Sequence, residues 1–212
     1  MRKLGLAVMI LLVLAVLPAM ADPAQLQIIP AFSSVGINDT FSVDLVVYGL
    51  GNGAPPSVST FDLTLSFDPA VIHATGADFG LLLGDPAWYE AFTGVVLSPD
   101  SINLAEVSLL SPSDLDALQP ASFTLATLWF QAVGLGTTPL HFVPGTVPGV
   151  SGLDVKDGLG VLMSPITSLD GTIEVTGITP VPEPSSLTLA LLMGGIVFVR
   201  TAARRLGAGL RR

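Results

Sequence analysis

The 212-residue sequence contains no cysteine, and its few basic residues are almost confined to its two ends. Because no disulfide can form, a folded domain must be stabilised by its hydrophobic core alone. Between residues 22 and 180, Lys156 is the one basic residue against 16 acidic residues, a formal charge of −15. Such a surface cannot neutralise phosphates, which excludes nucleic acid as a partner. An acidic surface of this kind mainly confers solubility.

Histidine and catalytic motifs are also scarce. The two histidines, His73 and His141, are far apart in the sequence, and no serine lies in a G-x-S-x-G elbow. Asp114 and Asp116 could suggest the paired carboxyls of a glycosidase, but their spacing favours charges at the start of a helix. Residues 154–158 lack the alternating oxygen ligands of a calcium loop, so we predict a polar turn there and no cofactor, with weak calcium binding as the alternative.

The first 21 residues have the three regions of a secretory signal peptide. Arg2 and Lys3 are followed by an apolar stretch at residues 4–17 and by a small-x-small cleavage site at residues 19–21. The sequence therefore predicts an N-terminal signal helix that is removed on export. The exported domain is then expected to extend from residue 22 to residue 180.

The C-terminal segment, residues 181–212, combines three features in a set order. A rigid Pro-Glu-Pro motif comes first, an apolar stretch without charge follows at residues 185–199, and an arginine cluster comes last. An apolar helix that ends in basic residues is typical of a stop-transfer segment, so we predict a transmembrane helix at about residues 185–203. The residues that define the motif and its basic end are Pro182, Glu183, Pro184, Arg200, Arg204 and Arg205.

This tail resembles the PEP-CTERM sorting signal of exported bacterial proteins. The resemblance implies recognition and removal by a membrane processing enzyme, an exosortase, after a transient membrane anchorage. It also implies that the protein is delivered to the cell surface or to the extracellular matrix. An ordinary single-pass anchor is the alternative interpretation of the same residues.

The body is predicted to be all-β. Phe61, Leu63, Leu65 and Phe67 alternate with polar residues, as in a half-buried strand, and residues 41–48 show a similar alternation. About nine or ten short strands separated by turn signals indicate a single β-sandwich. The predicted first strand, residues 25–32, is interrupted by Pro30. Further strands are expected at residues 123–133 and 158–163, a loop at residues 76–86, and one helical turn at residues 113–118 capped by Ser113.

Four segments of the body resemble a cohesin domain. They read VGINDTFSVD at residues 35–44, FDLTLSFDPAV at 61–71, FTLATLWFQA at 123–132 and DGTIEV at 170–175. The resemblance implies a nine-stranded jelly-roll sandwich, related in fold to carbohydrate-binding modules. It also implies a non-catalytic module whose partner is a dockerin-like protein or a polysaccharide.

The register of residues 123–133 suggests a ligand-binding surface. The even-numbered residues, from Thr124 to Ala132, are mostly apolar, so we expect them to face the core. Trp129 would then lie on an outer face between Thr127 and Gln131, where its indole could stack on a sugar ring or anchor a protein. Three functions remain: a surface or matrix module, a dedicated carbohydrate-binding module that assists polysaccharide breakdown, and an unrecognised hydrolase.

Overall fold

A computed structural model of the chain describes residues 23–144 and 153–177, which fold into two β-sheets packed face to face. Strands dominate because apolar and polar residues alternate with a period of two, so that each strand presents one face to the core. The apolar inner faces of both sheets contribute to one continuous hydrophobic core. The described part of the chain therefore confirms the predicted β-sandwich, but with twelve strands where nine or ten were expected.

The first sheet has five strands in the order β11-β1-β3-β8-β5. Antiparallel pairs dominate it, and the short β11 adds to β1 in parallel at one edge. Its strands are β1 (Gln25–Ile29), β3 (Thr40–Tyr48), β5 (Ile72–Phe79), β8 (Ser122–Ala132) and β11 (Thr167–Leu169).

The second sheet has seven strands, and six of them follow the order β2-β12-β9-β4-β7-β6. The seventh strand, β10, pairs with β4. The strands are β2 (Phe32–Gly36), β4 (Val58–Ser66), β6 (Ala91–Ser98), β7 (Ser101–Ser108), β9 (Gly136–Phe142), β10 (Leu153–Asp157) and β12 (Gly171–Thr176). A 3-10 turn (Pro86–Trp88) precedes β6, and a short helix α1 (Pro112–Leu118) joins β7 to β8.

Aromatic packing joins the two sheets at the centre of the core. Phe130 of β8 is fully buried, and its ring stacks on Phe41 with the centroids 5.6 Å apart. Phe67, which directly follows β4 of the second sheet, makes an edge-to-face contact with Phe130, with the ring centroids 5.5 Å apart and the ring planes at 87°. Edge-to-face and stacked pairs of this kind add about 0.5–1.5 kcal/mol beyond the burial of their area.

The predicted first strand is two strands, and its two halves belong to different sheets. Residues 25–29 pair with β3 in the first sheet, whereas residues 32–36 pair with β12 in the second. Pro30 lies between them, where its missing N–H cannot interrupt a ladder. The chain thus crosses from one sheet to the other at the residue that the sequence marks as an interruption.

The predicted register of β8 is correct for only part of the strand. Ala126, Leu128, Phe130 and Ala132 are buried as expected, but Phe123 and Leu125 are buried as well and Thr124 is not. A bulge explains the change, because Leu45 pairs with Ala126 and the next residue, Val46, pairs with Thr124. The extra residue on β8 reverses the faces of the residues before it.

Four further expectations need correction. Residues 76–79 belong to β5 rather than to a loop, and most of the expected turn at residues 154–158 is strand β10. The strand predicted at residues 158–163 is replaced by a turn and a single bridge at Leu162. Ser111, rather than Ser113, caps α1 through its hydroxyl, which accepts the N–H of Asp114, and Pro112 begins the helix.

Of two buried polar side chains, one has hydrogen-bond partners and the other has none within the described residues. The Gln119 amide exchanges hydrogen bonds with the backbone of Val58, at 2.6 and 2.7 Å. Glu106 of β7 is fully buried between Phe61 and Thr93 in the ladder, and within the described residues neither of its carboxyl oxygens has a partner. Desolvation therefore raises the pKa of Glu106 from 4.5 to about 8.

This raised pKa predicts that the contribution of Glu106 to stability falls as the pH rises from about 4.5 to 8. Over that interval the folded state keeps a proton on Glu106 that the unfolded state has lost, so Glu106 by itself lowers the free energy of unfolding by about 1.4 kcal/mol per pH unit. Glu106→Gln removes this titration. Urea unfolding of both forms at several pH values should show their stability difference changing by that slope and levelling above pH 8. Parallel pH dependences would contradict the burial of an unpaired carboxyl.

Candidate functional site

The outer face of the second sheet carries an ordered grid of side chains where β4, β7 and β6 lie side by side. Residues directly opposite in an antiparallel ladder share a face, and the pairing places three rows across these strands. The rows are Thr60–Val107–Phe92, Asp62–Ala105–Gly94 and Thr64–Asn103–Val96. We call these nine residues the grid face.

The β6 side of the grid face is apolar and open to solvent. Phe92 is 61% exposed and Val96 is 60% exposed, and Val107 beside Phe92 is exposed as well. Gly94 and Ala105 lie between the larger side chains, and a Cβ added to Gly94 would meet nothing within 4 Å. The small residues thus form the floor of a notch between Phe92 and Val96. Contiguous exposed apolar groups rimmed by polar ones are typical of interaction surfaces.

The β4 side of the grid face is polar and held in position by hydrogen bonds. The Asn103 amide nitrogen donates to Asp62 Oδ1 at 2.7 Å and to Thr64 Oγ1 at 3.0 Å. Because Asn103 bridges its neighbours, the carboxylate of Asp62 keeps one oxygen outside this network. A fixed carboxylate beside an apolar notch can orient a partner by charge while the notch receives its side chain.

Strand β10 extends the grid face into a shallow groove of about 150 Å³. Asp154 pairs with Asp62 and Lys156 pairs with Thr60, so both β10 residues are on the same side of the sheet as the grid. Lys156 is the only lysine or arginine within residues 23–144 and 153–177. The groove therefore combines carboxylates, one ammonium group and the apolar Val107.

The predicted ligand-binding residues share the outer face of the opposite sheet. Trp129 is 42% exposed, and its indole nitrogen donates to Asp78 Oδ2 at 2.7 Å. Thr127 donates to Asp44 Oδ1 at 2.6 Å, and Gln131 is exposed. The structure thus brings Thr127, Trp129 and Gln131 together, but the polar atoms of the first two already have partners within the chain.

The residues considered for catalysis do not converge. His73 lies on β5 of the first sheet and His141 on β9 of the second, where its Nδ1 is 2.5 Å from Asp170 Oδ2. Asp116 accepts the hydroxyl of Ser57 at 2.6 Å. In the described part of the chain, no three His, Cys, Asp or Glu side chains are grouped to hold a metal ion.

In the segment considered for calcium binding, the carboxylate of Asp157 accepts hydrogen bonds within its own turn. Asp157 Oδ1 accepts the backbone N–H groups of Leu159 and Val161, at 2.9 and 2.8 Å. These bonds close the turn after β10, the role that aspartate has in many turns.

The predicted signal peptide at residues 1–21 and the predicted tail at residues 181–212 lie outside the described residues. The tail includes Pro182, Glu183, Pro184, Arg200, Arg204 and Arg205 as well as the expected transmembrane helix. Among the helices of the described ranges, none has the length and apolar character that crossing a bilayer requires.

The sequence did not lead to a prediction of the grid face, although one of its strands has an unusual composition. The stretch AFTGVVLS at residues 91–98 is apolar on both faces, which a half-buried strand does not require. The turn at Pro99 and Asp100 pairs Ser98 with Ser101, and this pairing determines which residues of β6 and β7 are neighbours. What the sequence does not show is that β6 ends the sheet and stays uncovered.

Comparison with solved structures places the fold among cohesin domains. The cohesin of the Coh-OlpA-Doc918 complex from Clostridium thermocellum superposes with a TM-score of 0.55 at 13% identity, over 73% of this chain and 100% of that one. CaCohA2 from Clostridium acetobutylicum gives 0.57 at 19% identity, over 76% and 95%. A type II cohesin from the cellulosome of Acetivibrio cellulolyticus gives 0.57 at 18% identity, over 72% and 95%.

At these identities the likeness establishes a shared fold alone. No protein-family model matches the sequence, and no curated protein matches it.

Proposed function

We propose that the protein is an exported, non-catalytic module that binds a protein partner through the grid face. The observation that carries this proposal is the exposed apolar notch of Phe92, Gly94 and Val96 beside the hydrogen-bonded Asp62–Asn103 pair. An interface of standard size needs about 800 Å² from each partner, with an apolar centre and a polar rim. The grid face supplies an apolar part on β6 and a polar part on β4.

The fold supports a dockerin-like protein as the partner. Solved cohesins with this fold include domains crystallised with dockerins, among them the Coh-OlpA-Doc918 and Coh-OlpC-Doc435 complexes of Clostridium thermocellum. Charge indicates which kind of partner protein fits, because residues 22–180 contain 16 acidic residues against one lysine. A partner with basic residues around an apolar knob would complement the grid face.

Two exposed phenylalanines on the same outer face of the second sheet allow a matched test. Phe92 on β6 is 61% exposed and Phe32 on β2, at the opposite edge, is 57% exposed. Affinity isolation of the tagged full-length chain from producing cells, followed by quantitative mass spectrometry, measures partner recovery. Phe92→Ser should lower recovery at least tenfold, as expected for the loss of an interface anchor, and Phe32→Ser should not. Equal recovery with both variants would rule out the grid face.

Polysaccharide binding at Trp129 is the second candidate function. The hydrogen bond to Asp78 holds the exposed indole in one orientation, and a rigid flat ring suits stacking on a sugar. Gln131, two residues further along β8, is exposed on the same face. This surface lies on the first sheet, so a glycan and a protein could be bound at the same time.

Trp129→Ala is expected to weaken binding to exopolysaccharide without lowering the melting temperature much. Affinity electrophoresis in gels containing extracted exopolysaccharide measures the retardation of the full-length chain. Trp88→Ala is the control, because Trp88 is 76% exposed on the 3-10 turn, away from β8. If Trp129→Ala melts far below the wild type, the indole serves packing; if both variants are retarded like the wild type, the surface does not bind this glycan.

The tail is proposed to direct the protein through a transient membrane stage to the cell surface or the extracellular matrix. The order of Pro182-Glu183-Pro184, an apolar stretch and Arg200, Arg204 and Arg205 supports an exosortase-type enzyme as the processing partner. An arginine cluster after an apolar segment retains that end on the cytoplasmic side.

Glu183→Ala should leave a longer species retained in the membrane, whereas deletion of residues 181–212 should release the domain in soluble form. Mass spectrometry of the intact protein from membrane, surface and medium fractions separates these species. Mature wild-type protein that still carries Arg204 and Arg205 would contradict processing of the tail.

A further inference from the structure

Strand β6 is an uncovered edge of the second sheet. It pairs with β7 along its whole length, from Ala91 opposite Ser108 to Ser98 opposite Ser101, without a register shift. Every residue from Phe92 to Ser98 is exposed, including Thr93, Val95 and Leu97, whose side chains face the inner side by register. Strand β5 of the first sheet comes close to this inner side, but it does not pair with β6 and leaves the side chains of Thr93, Val95 and Leu97 partly exposed.

The hairpin geometry shows which backbone groups of β6 are free. A two-residue turn makes Ser98 and Ser101 a hydrogen-bonded pair, and bonded pairs then alternate along the ladder. Residues 92, 94, 96 and 98 thus bond to β7. The N–H and C=O groups of Thr93, Val95 and Leu97 point away from β7, towards the open edge.

The other edge strands of the two sheets are protected and β6 is not. Strand β5 has a register shift between Ala74 and Gly76 and carries His73 and Asp78, and β11 and β2 have only three and five residues. Bulges, charges and short length are the devices that prevent edge pairing. Residues 91–98 have eight positions with no charge, no proline and no bulge.

The charges at the two ends of β6 indicate what can pair there. Glu90 directly precedes the strand, and its Oε2 accepts a hydrogen bond from the backbone N–H of Asp85. Asp100 lies in the turn that follows the strand. All three carboxylates are near the ends of the edge, whereas Lys156 lies beyond β4 on β10. Two-fold antiparallel pairing with a second copy, centred on Val95, would place Glu90 opposite Asp100 of that copy, and like charges directly opposite are destabilising.

We infer that the β6 edge accepts an extended segment of a partner protein as an added strand. The segment would have apolar side chains on both faces, to contact Phe92 and Val96 on one side and Val95 and Leu97 on the other, with basic residues at both ends. Main-chain hydrogen bonds to Thr93, Val95 and Leu97 supply the pairing. This site shares Phe92 and Val96 with the grid face, but its pairing is made by the backbone of β6 and does not require the polar residues of β4.

A labelled peptide tests the inference on the full-length chain in mild detergent. The probe is a ten-residue peptide with six valines at its centre and two lysines at each end, and its binding is measured by fluorescence anisotropy. Val95→Pro removes an edge donor but no bond to β7, and Gly94 tolerates the backbone before a proline. Binding should fall at least tenfold with Val95→Pro and stay unchanged with Val95→Thr, which keeps the N–H.

Two altered peptides separate pairing from general attraction to an acidic protein. A peptide N-methylated at every central residue and a peptide with glutamates at its ends should each bind at least tenfold more weakly. If Val95→Pro fails to fold, Val95→Lys, which keeps the backbone donors but adds a repelling charge, should produce the same loss. Equal binding by the N-methylated peptide, or self-association of the chain that a β6 variant abolishes, would overturn the inference.

Discussion

The packing of the two inner sheet faces against each other, with Phe130 at its centre, is the interaction on which the rest of the structure depends. Without cysteine, and with no metal cluster among the described residues, the domain has burial of apolar area as its source of stability. Leucine, valine and phenylalanine from both sheets fill this core. Because the core occupies only the inner faces, both outer faces are available for recognition.

The position of β6 at the edge of the second sheet explains where the binding surfaces lie. Strand β6 ends the second sheet, and its residues from Phe92 to Ser98 are exposed although β5 of the first sheet comes close to it. The same geometry leaves Phe92 and Val96 on the grid face and the free backbone groups of Val95 at the edge. Glu106, one strand further in, is already enclosed, and its carboxyl stays protonated near neutral pH because burial raises its pKa to about 8. Over one strand spacing the environment thus changes from solvent to core.

Period-two alternation predicted the fold class and much of the core, as in Leu63 and Leu65 of β4 and Leu128 and Phe130 of β8. It also placed Trp129 on an outer face correctly. The alternation gave wrong predictions where the face that a residue presents depends on which strand its own strand pairs with. The bulge opposite Leu45 depends on how β3 meets β8, and the division of the first strand at Pro30 depends on which sheet offers a free edge.

The grid face escaped prediction for the same reason. Asp62, Asn103 and Phe92 are neighbours only because β4, β7 and β6 lie side by side. The sequence of a single strand does not show which other strands lie beside it. The apolar character of residues 91–98 was visible, but a strand buried on both faces and an uncovered strand have the same composition. Only the arrangement of the sheets distinguishes the two.

Site-specific photo-crosslinking in producing cells tests the central claim most directly. Benzoylphenylalanine is placed either at Val96, on the grid face, or at Ser42, beside Trp129 on the opposite face. If the grid face binds a protein, irradiation will yield a protease-sensitive adduct from the Val96 position and none from the Ser42 position. An adduct from the Ser42 position alone would show that a protein partner binds the first sheet and that the grid face is not the recognition surface.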